Sequence, residues 1–242
     1  MLPAHPTSSS ALPRADAPGE PLAPWWHTVL VLLPIAAGSI ASAYQHGLPN
    51  AHLPGLGSRL SGYVTVLAQE WFAVLLIWLA LRRRGLSIGT LVSGHWQTVR
   101  AFFKDLGLAL GFMVVAIPLV GALAYLLGGD PDSAMAHITP TTGLELFVWL
   151  GLAATGGFCE ELVFRGYLMR QLSAWTGSQA LAVVLQGIAF GLAHGYYGRV
   201  MVVVVVQGCL LGLLARWRKS LRPGMLAHGI QDLIGGVVAF FS

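Results

Sequence analysis

Charged residues are scarce. Asp, Glu, Lys and Arg make up 10% of the 242 residues, while 55% are hydrophobic, and the mean hydropathy is +0.69. Soluble domains carry roughly 25% charged residues, so this balance excludes an ordinary soluble domain and points to a polytopic membrane protein of one-domain length. Cysteine is nearly absent. The two thiols, Cys159 and Cys209, both fall in apolar segments, which excludes a disulfide scaffold and leaves buried inert thiols. No basic start followed by an apolar stretch opens the chain, so residues 1–24, rich in Pro, Ala and Ser, read as a disordered cytoplasmic tail rather than a cleavable signal peptide. No internal repeat is discernible, which argues against a carrier built from inverted repeats. The net charge of +4 does not call for nucleic acid, because basic residues in a membrane protein chiefly set orientation.

The apolar runs predict an all-α, polytopic transmembrane bundle over 25–242, with about seven spans. These are Trp25 to Tyr44, Tyr63 to Leu81, Leu106 to Leu127, Leu144 to about Leu172, Ser178 to Tyr197, Val200 to Ala215 and Pro223 to Phe241. Trp25 and Trp26 suit an interfacial anchor, Pro34 a kink, and Pro223 a first helical turn. The run Val202 to Val206 would favour a strand in water; in lipid the backbone must satisfy itself, so it reads as helix. With seven spans and the N-terminus in the cytoplasm, the inside holds Arg14, Arg82, Arg83, Arg84, Arg100, Lys104, Arg165, Arg170, Arg216, Arg218, Lys219 and Arg222. Only Arg59 and Arg199, of 14 cations, fall outside. That split favours this orientation, and the bacterial inner membrane is the expected location. Membrane lipid is one expected partner. The basic runs at Arg82 to Arg84 and Arg216 to Arg222 read as topology anchors in contact with anionic lipid.

The chain is organised around Phe158-Cys159-Glu160-Glu161-Leu162-Val163-Phe164-Arg165, a polar cluster after the apolar run Leu146 to Phe158. On a helix Glu161 and Arg165 share a face in the favourable acid-first order, and Glu160 points about 100° away. One carboxylate has a local cation and the other has none. The bland alternative is a headgroup zone in which Arg165 merely snorkels. Two further spans carry histidines. His194 ends Phe190-Gly191-Leu192-Ala193-His194, and His228 and Asp232 are four apart on the last span. Ionisable groups at membrane depth have no water to fall back on and should converge on one another or on a wet cavity. Glu70 is the remaining acid within the spans; it reads equally as a lining residue of that cavity or as a partnered interior acid. His27, His46, His52, His95 and His137 fall at span ends or in loops, where solvent exposure is the default.

Two chemistries fit this set. A Glu with a His can hold and deprotonate a water while a second His stabilises an oxyanion. Alternatively Glu160, His194 and His228 would supply N and O ligands to Zn²⁺ with an open position for water. Both predict hydrolysis, and residue types alone do not separate them.

Glu160-Glu161-x-x-x-Arg165, Phe190-x-x-x-His194 and His228-x-x-x-Asp232, in that order over about 144–240, resemble the CPBP family of intramembrane proteases. That family includes type II CAAX prenyl endopeptidases and Abi-like proteins. The resemblance implies an intramembrane endopeptidase acting on a peptide or membrane-protein substrate. Glu160 and His194 would activate water, and His228 and Asp232 would stabilise the oxyanion. Glu161 and Arg165 would be architectural, and Phe190 would shape the pocket. The preferred scheme needs no cofactor, with Zn²⁺ as the alternative. A non-proteolytic Abi-like scaffold or immunity protein, or a small ion-coupled transporter, are the competing readings. One position departs in chemistry: an ionised Asp232 cannot donate to an oxyanion, so it is protonated, orients His228, or serves a metal. One geometric difficulty also stands. If span five runs outward, His194 lies about 24 Å from its inner end, whereas His228 lies only about 8 Å from the inner end of span seven.

Overall fold

The computed structural model describes residues 19–47, 59–128 and 138–242. Expectations for residues 1–18, for the Asp130 to Asp132 loop, and for His52 and His137 lie outside those residues. The described chain is helical. Helix α1 covers Trp25–Gly47, α2 Arg59–Arg83, the short α3 Ile88–Val92, and α4 Val99–Leu126. Helix α5 runs unbroken over Gly143–Thr176, α6 is Gln179–Ala193, α7 is Met201–Arg218 and α8 is Arg222–Phe241. Six of these are long and apolar enough to cross a membrane, and large apolar side chains such as Val114 and Phe147 face outward, as lipid contact requires. The protein is an integral membrane protein. The valine run of α7 is helical, and Pro223 opens α8.

The expected fifth span is shorter than its apolar run. Helix α6 stops at Ala193, and Gly195–Val200 forms a 3₁₀ turn with Gly198 at φ 57°. Ser39 of α1 captures this end: its hydroxyl donates to the Leu192 carbonyl at 2.7 Å and accepts from the Gly195 N–H at 3.0 Å. At 1.5 Å per residue α6 spans about 22 Å, short of a ~30 Å hydrocarbon core. His194 therefore caps a helix inside the bundle.

The depth difficulty is resolved at the other helix. Leu221, just ahead of α8, packs against Gly166, where an added Cβ would lie 3.0 Å from the leucine methyl. Leu221 N–H donates to the Val92 carbonyl of α3 at 3.4 Å. Helix α8 thus starts level with Gly166, ten residues before α5 ends at Thr176. Six residues up α8 from Arg222 is His228, and six residues back along α5 from Gly166 is Glu160. Antiparallel helices with equal offsets bring the two side chains to one height.

Glycines make the contacts close enough. A Cβ on Gly157 would stand 2.6 Å from the Gly229 amide of α8, and one on Gly187 2.4 Å from the Cys209 sulfur of α7. Neither position has room for a side chain. Small residues of this kind let membrane helices approach backbone to backbone.

A polar network closes the start of α1. The Gln171 side chain bonds the Ala23 carbonyl and the Thr28 hydroxyl, and the Tyr167 hydroxyl bonds Thr28 and His27 Nδ1. His27, expected in solvent, is buried here with its other nitrogen donating to the Leu76 carbonyl. Its tautomer follows, since a carbonyl only accepts.

Candidate active site

The centre of α5 is wound differently from its ends. Glu161–Leu168 is a π-helical stretch, and Met169 N–H donates to the Phe164 carbonyl five residues back. Wider turns of this type are rare and cluster at functional sites. All eight residues of the stretch are buried. Arg165 is 1% exposed and Glu161 fully buried, so the snorkelling reading fails. Arg165 Nη1 lies 2.9 Å from Glu161 Oε1, Arg165 Nη2 donates to the Gly208 carbonyl at 3.4 Å, and the guanidinium sits 4.1 Å over the Phe190 ring. Phe190 is therefore both a wall of the site and the platform for this cation.

Glu161 does more than the sequence reading gave it. Its Oε1 also meets His228 Nδ1 at 3.1 Å. A carboxylate only accepts, so Nδ1 carries a proton and the ring is locked with Nε2 facing the opposite way. Nε2 points at Glu160 Oε2, 3.8 Å away, and at Asp232 Oδ2, 3.5 Å away. On the other side His194 Nδ1 contacts the Phe190 carbonyl at 2.9 Å, which again places the proton on Nδ1. His194 Nε2 then presents its lone pair 4.0 Å from the same Glu160 Oε2. Phe190 packs against both rings, with centroids at 4.7 Å from His194 and 5.7 Å from His228. Trp149 Nε1 donates to the Asp232 carbonyl at 3.0 Å and holds the neighbouring turn of α8.

All seven residues singled out from the sequence come together, from α5, the end of α6, and α8. The site is reachable: the side chains of Glu160, His194 and Asp232 are 21%, 18% and 39% exposed, whereas Glu161 and Arg165 beneath them are sealed.

The spacing has chemical meaning. A tetrahedral metal with bonds of about 2.1 Å holds its donor atoms about 3.4 Å apart. The donor pairs here stand at 3.8 and 4.0 Å, and among the described residues no group of three His, Cys, Asp or Glu is arranged to hold a metal ion. A gap near 4 Å instead accepts one water hydrogen-bonded at about 2.8 Å to each side. The Glu160, His194 and His228 spacings are closer to those of a held water than to those of a bound zinc ion.

Two acids outside the seven add to this picture, Glu70, which the sequence left between two readings, and Asp105, which it did not single out. Glu70, on α2, is buried, and its Oε1 would lie 3.3 Å from a Cβ on Gly156, one turn before Glu160 on α5. Asp105 falls just ahead of the third apolar run, which begins at Leu106. It lies within α4, 1% exposed, and binds Arg218 and Arg222 at the basic end of the bundle. Its i,i+4 neighbours offered no partner, so only the tertiary structure pairs it.

Residues 142–234 match a family model described as type II CAAX prenyl endopeptidase Rce1-like. Over that segment, 93 of the 242 residues, the chain is similar to this family of membrane-embedded endopeptidases. It runs from the N-cap of α5 to within α8 and contains every site residue except Glu70. No curated protein and no solved structure matches the chain.

Proposed function

We propose that this protein is an intramembrane endopeptidase that cleaves a peptide bond with a water held by Glu160 and His194, without a tightly bound metal. The supporting observation is Glu160 Oε2 standing between two imidazoles at 4.0 and 3.8 Å, each aimed by a hydrogen bond on its far nitrogen. The water donates one hydrogen to Glu160 and one to the His194 Nε2 lone pair. Its oxygen attacks the scissile carbonyl carbon as Glu160 takes the proton. The negative charge that develops on the carbonyl oxygen is met by His228 Nε2, which donates when the ring is an imidazolium. Glu161 and Asp232 supply the charge that favours this form. Glu160 then returns its proton to the leaving nitrogen, and the C–N bond breaks. Asp232 has an electrostatic task here and needs no proton of its own.

In this reading the N-terminus lies in the cytoplasm. The support is that α2 ends and α4 begins with cations, and that Arg216, Arg218, Lys219 and Arg222 share that end with them through Asp105. Cysteine labelling at Ser87, an exposed position after α2, tests this; labelling by an impermeant reagent from outside intact cells contradicts it.

The activity test uses the purified protein in micelles with a fluorescence-quenched peptide library. Wild type cleaves members of the library, and exhaustive chelation leaves the rate unchanged. His194→Ala and His228→Ala each lower it by about 10² or more. A folded wild type that cleaves nothing, or variants as active as wild type, contradict proteolysis and favour a scaffold role. Activity abolished by chelation and restored by stoichiometric Zn²⁺ contradicts the direct-water scheme.

A further inference from the structure

Glu70 is a buried acid for which the proposed reaction has so far had no use. It sits near the middle of α2 and is 7% exposed. Neither of its carboxyl oxygens has a hydrogen-bond donor among the described residues, and Glu160 Oε2 lacks one as well. The two acids are not far apart by accident of sequence. Glu70 Oε1 rests against Gly156, one helical turn before Glu160 on α5, where a Cβ would stand only 3.3 Å from it. Gly156 and Glu160 are four apart and share a face of α5, so the Glu70 carboxyl lies against the turn that carries Glu160. Trp71 stacking on Phe158 at 6.2 Å fixes the same α2 to α5 register. The other ionisable groups that face Glu70 are Cys159 on α5 and His228 and Asp232 on α8; neither of the two oxygens bonds any of them.

Two ionised carboxylates are both acceptors, and an apolar setting makes their unshielded approach costly. One shared proton removes the repulsion and supplies a donor between the two carboxyls. We infer that Glu70 is a positioning residue for Glu160: it keeps one proton and donates it to the Glu160 carboxylate, fixing the oxygen that faces the two histidines. No group is transferred. Glu70 holds its proton through the cycle, while Glu160 gains the proton of the attacking water and returns it to the leaving nitrogen. The inference rests on the hydrolytic reading for its consequence, and on the approach of Glu70 to the Gly156 turn and its missing donors for the shared proton, so the two are tested separately.

The experiment compares wild type, Glu70→Gln and Glu70→Leu, purified in micelles and matched for thermal unfolding. Infrared spectra at neutral pH read the C=O stretch of a protonated carboxyl, and peptide cleavage reads kcat and KM. Wild type shows the band, and Glu70→Gln removes it. An amide N–H still donates to Glu160, so Glu70→Gln keeps kcat within about fivefold. Glu70→Leu cannot donate and loses about 10² in kcat with KM unchanged. The alkaline limb of the wild-type pH profile, where the shared proton would be lost, moves up in Glu70→Gln, which has no such proton to lose. A band that survives Glu70→Gln overturns the shared proton. Equal kcat in the Gln and Leu variants overturns the positioning role. A wild type that shows the band yet cleaves no peptide defeats the hydrolase reading and leaves the shared proton standing.

Discussion

Asp105 and Glu160 are both acids held inside this bundle, close to helices that carry arginine or histidine, and their oxygens are treated in opposite ways. Asp105 has a donor on every side: Arg218 Nη2 at 2.9 Å, Arg222 Nε at 3.1 Å and Trp96 Nε1 at 3.0 Å. Glu160 Oε2 has none, and the nitrogens nearest to it stand at 3.8 and 4.0 Å. Buried polar groups are normally satisfied, and a group left short calls for an explanation. Satisfaction fits a staple that ties α4, α7 and the start of α8 together. A gap of about one water fits a group that acts on something absent from the protein itself. Glu161 stands between these cases, since its Oε1 meets both Arg165 and His228 while its Oε2 has no partner among the described residues, and it serves the site by aiming an imidazole.

This contrast is open to breakage at four points, in falling order of effect. Glu161→Ala strands Arg165 in a sealed setting and removes the acceptor of His228 Nδ1. It is expected to cost about 3–5 kcal/mol of stability, read as a lower unfolding temperature and lower membrane abundance, with activity lost as well. Wild-type stability in that variant contradicts the architectural role. Asp105→Ala leaves two cations without their acid; because Arg218 and Arg222 are partly exposed, the expected cost is smaller, about 2 kcal/mol. Cleavage per folded molecule should stay at the wild-type value, and a selective fall in kcat would erase the distinction between staple and site.

Gly157→Ala forces a methyl into the backbone of α8. Overpacking of this kind costs about 1–3 kcal/mol, and it moves His228 away from Glu160, so kcat falls more than stability does. Equal activity in denaturation-matched samples would show that the α5 to α8 approach is not what sets the site. Asp232→Asn has the smallest effect. Its side chain is 39% exposed and stands 3.5 Å from His228, and a screened pair of this type is worth about 1 kcal/mol. A fall of about fivefold in kcat is expected, against a loss of several hundredfold if Asp232 took or gave a proton itself.

Much of this was legible in the chain. The apolar runs located every long helix, because lipid leaves the backbone no alternative. The i,i+4 spacings of Glu161 with Arg165 and of His228 with Asp232 survive into the structure as direct contacts. What local spacing does not encode was hidden. The recess of α8 depends on Leu221 meeting Gly166 and Val92, three segments far apart in sequence. The early end of α6 depends on Ser39 from α1. His27 looked like an exposed residue at a helix start because its partners, Tyr167 and Leu76, lie 140 and 49 residues away. Glu70 was visible as an acid in an apolar run, but the glycine that admits its carboxyl, Gly156, belongs to a different helix.

Glu160 is the proposed base, and Glu160→Gln tests that role most directly. The amide keeps the size and shape of the side chain and cannot take a proton from water. Purified wild type and Glu160→Gln are compared for thermal unfolding and for single-turnover cleavage of the same quenched peptide. The account predicts matching unfolding and a cleavage rate lower by about 10² to 10⁴. A Glu160→Gln protein that unfolds like wild type and cleaves at the wild-type rate would contradict it.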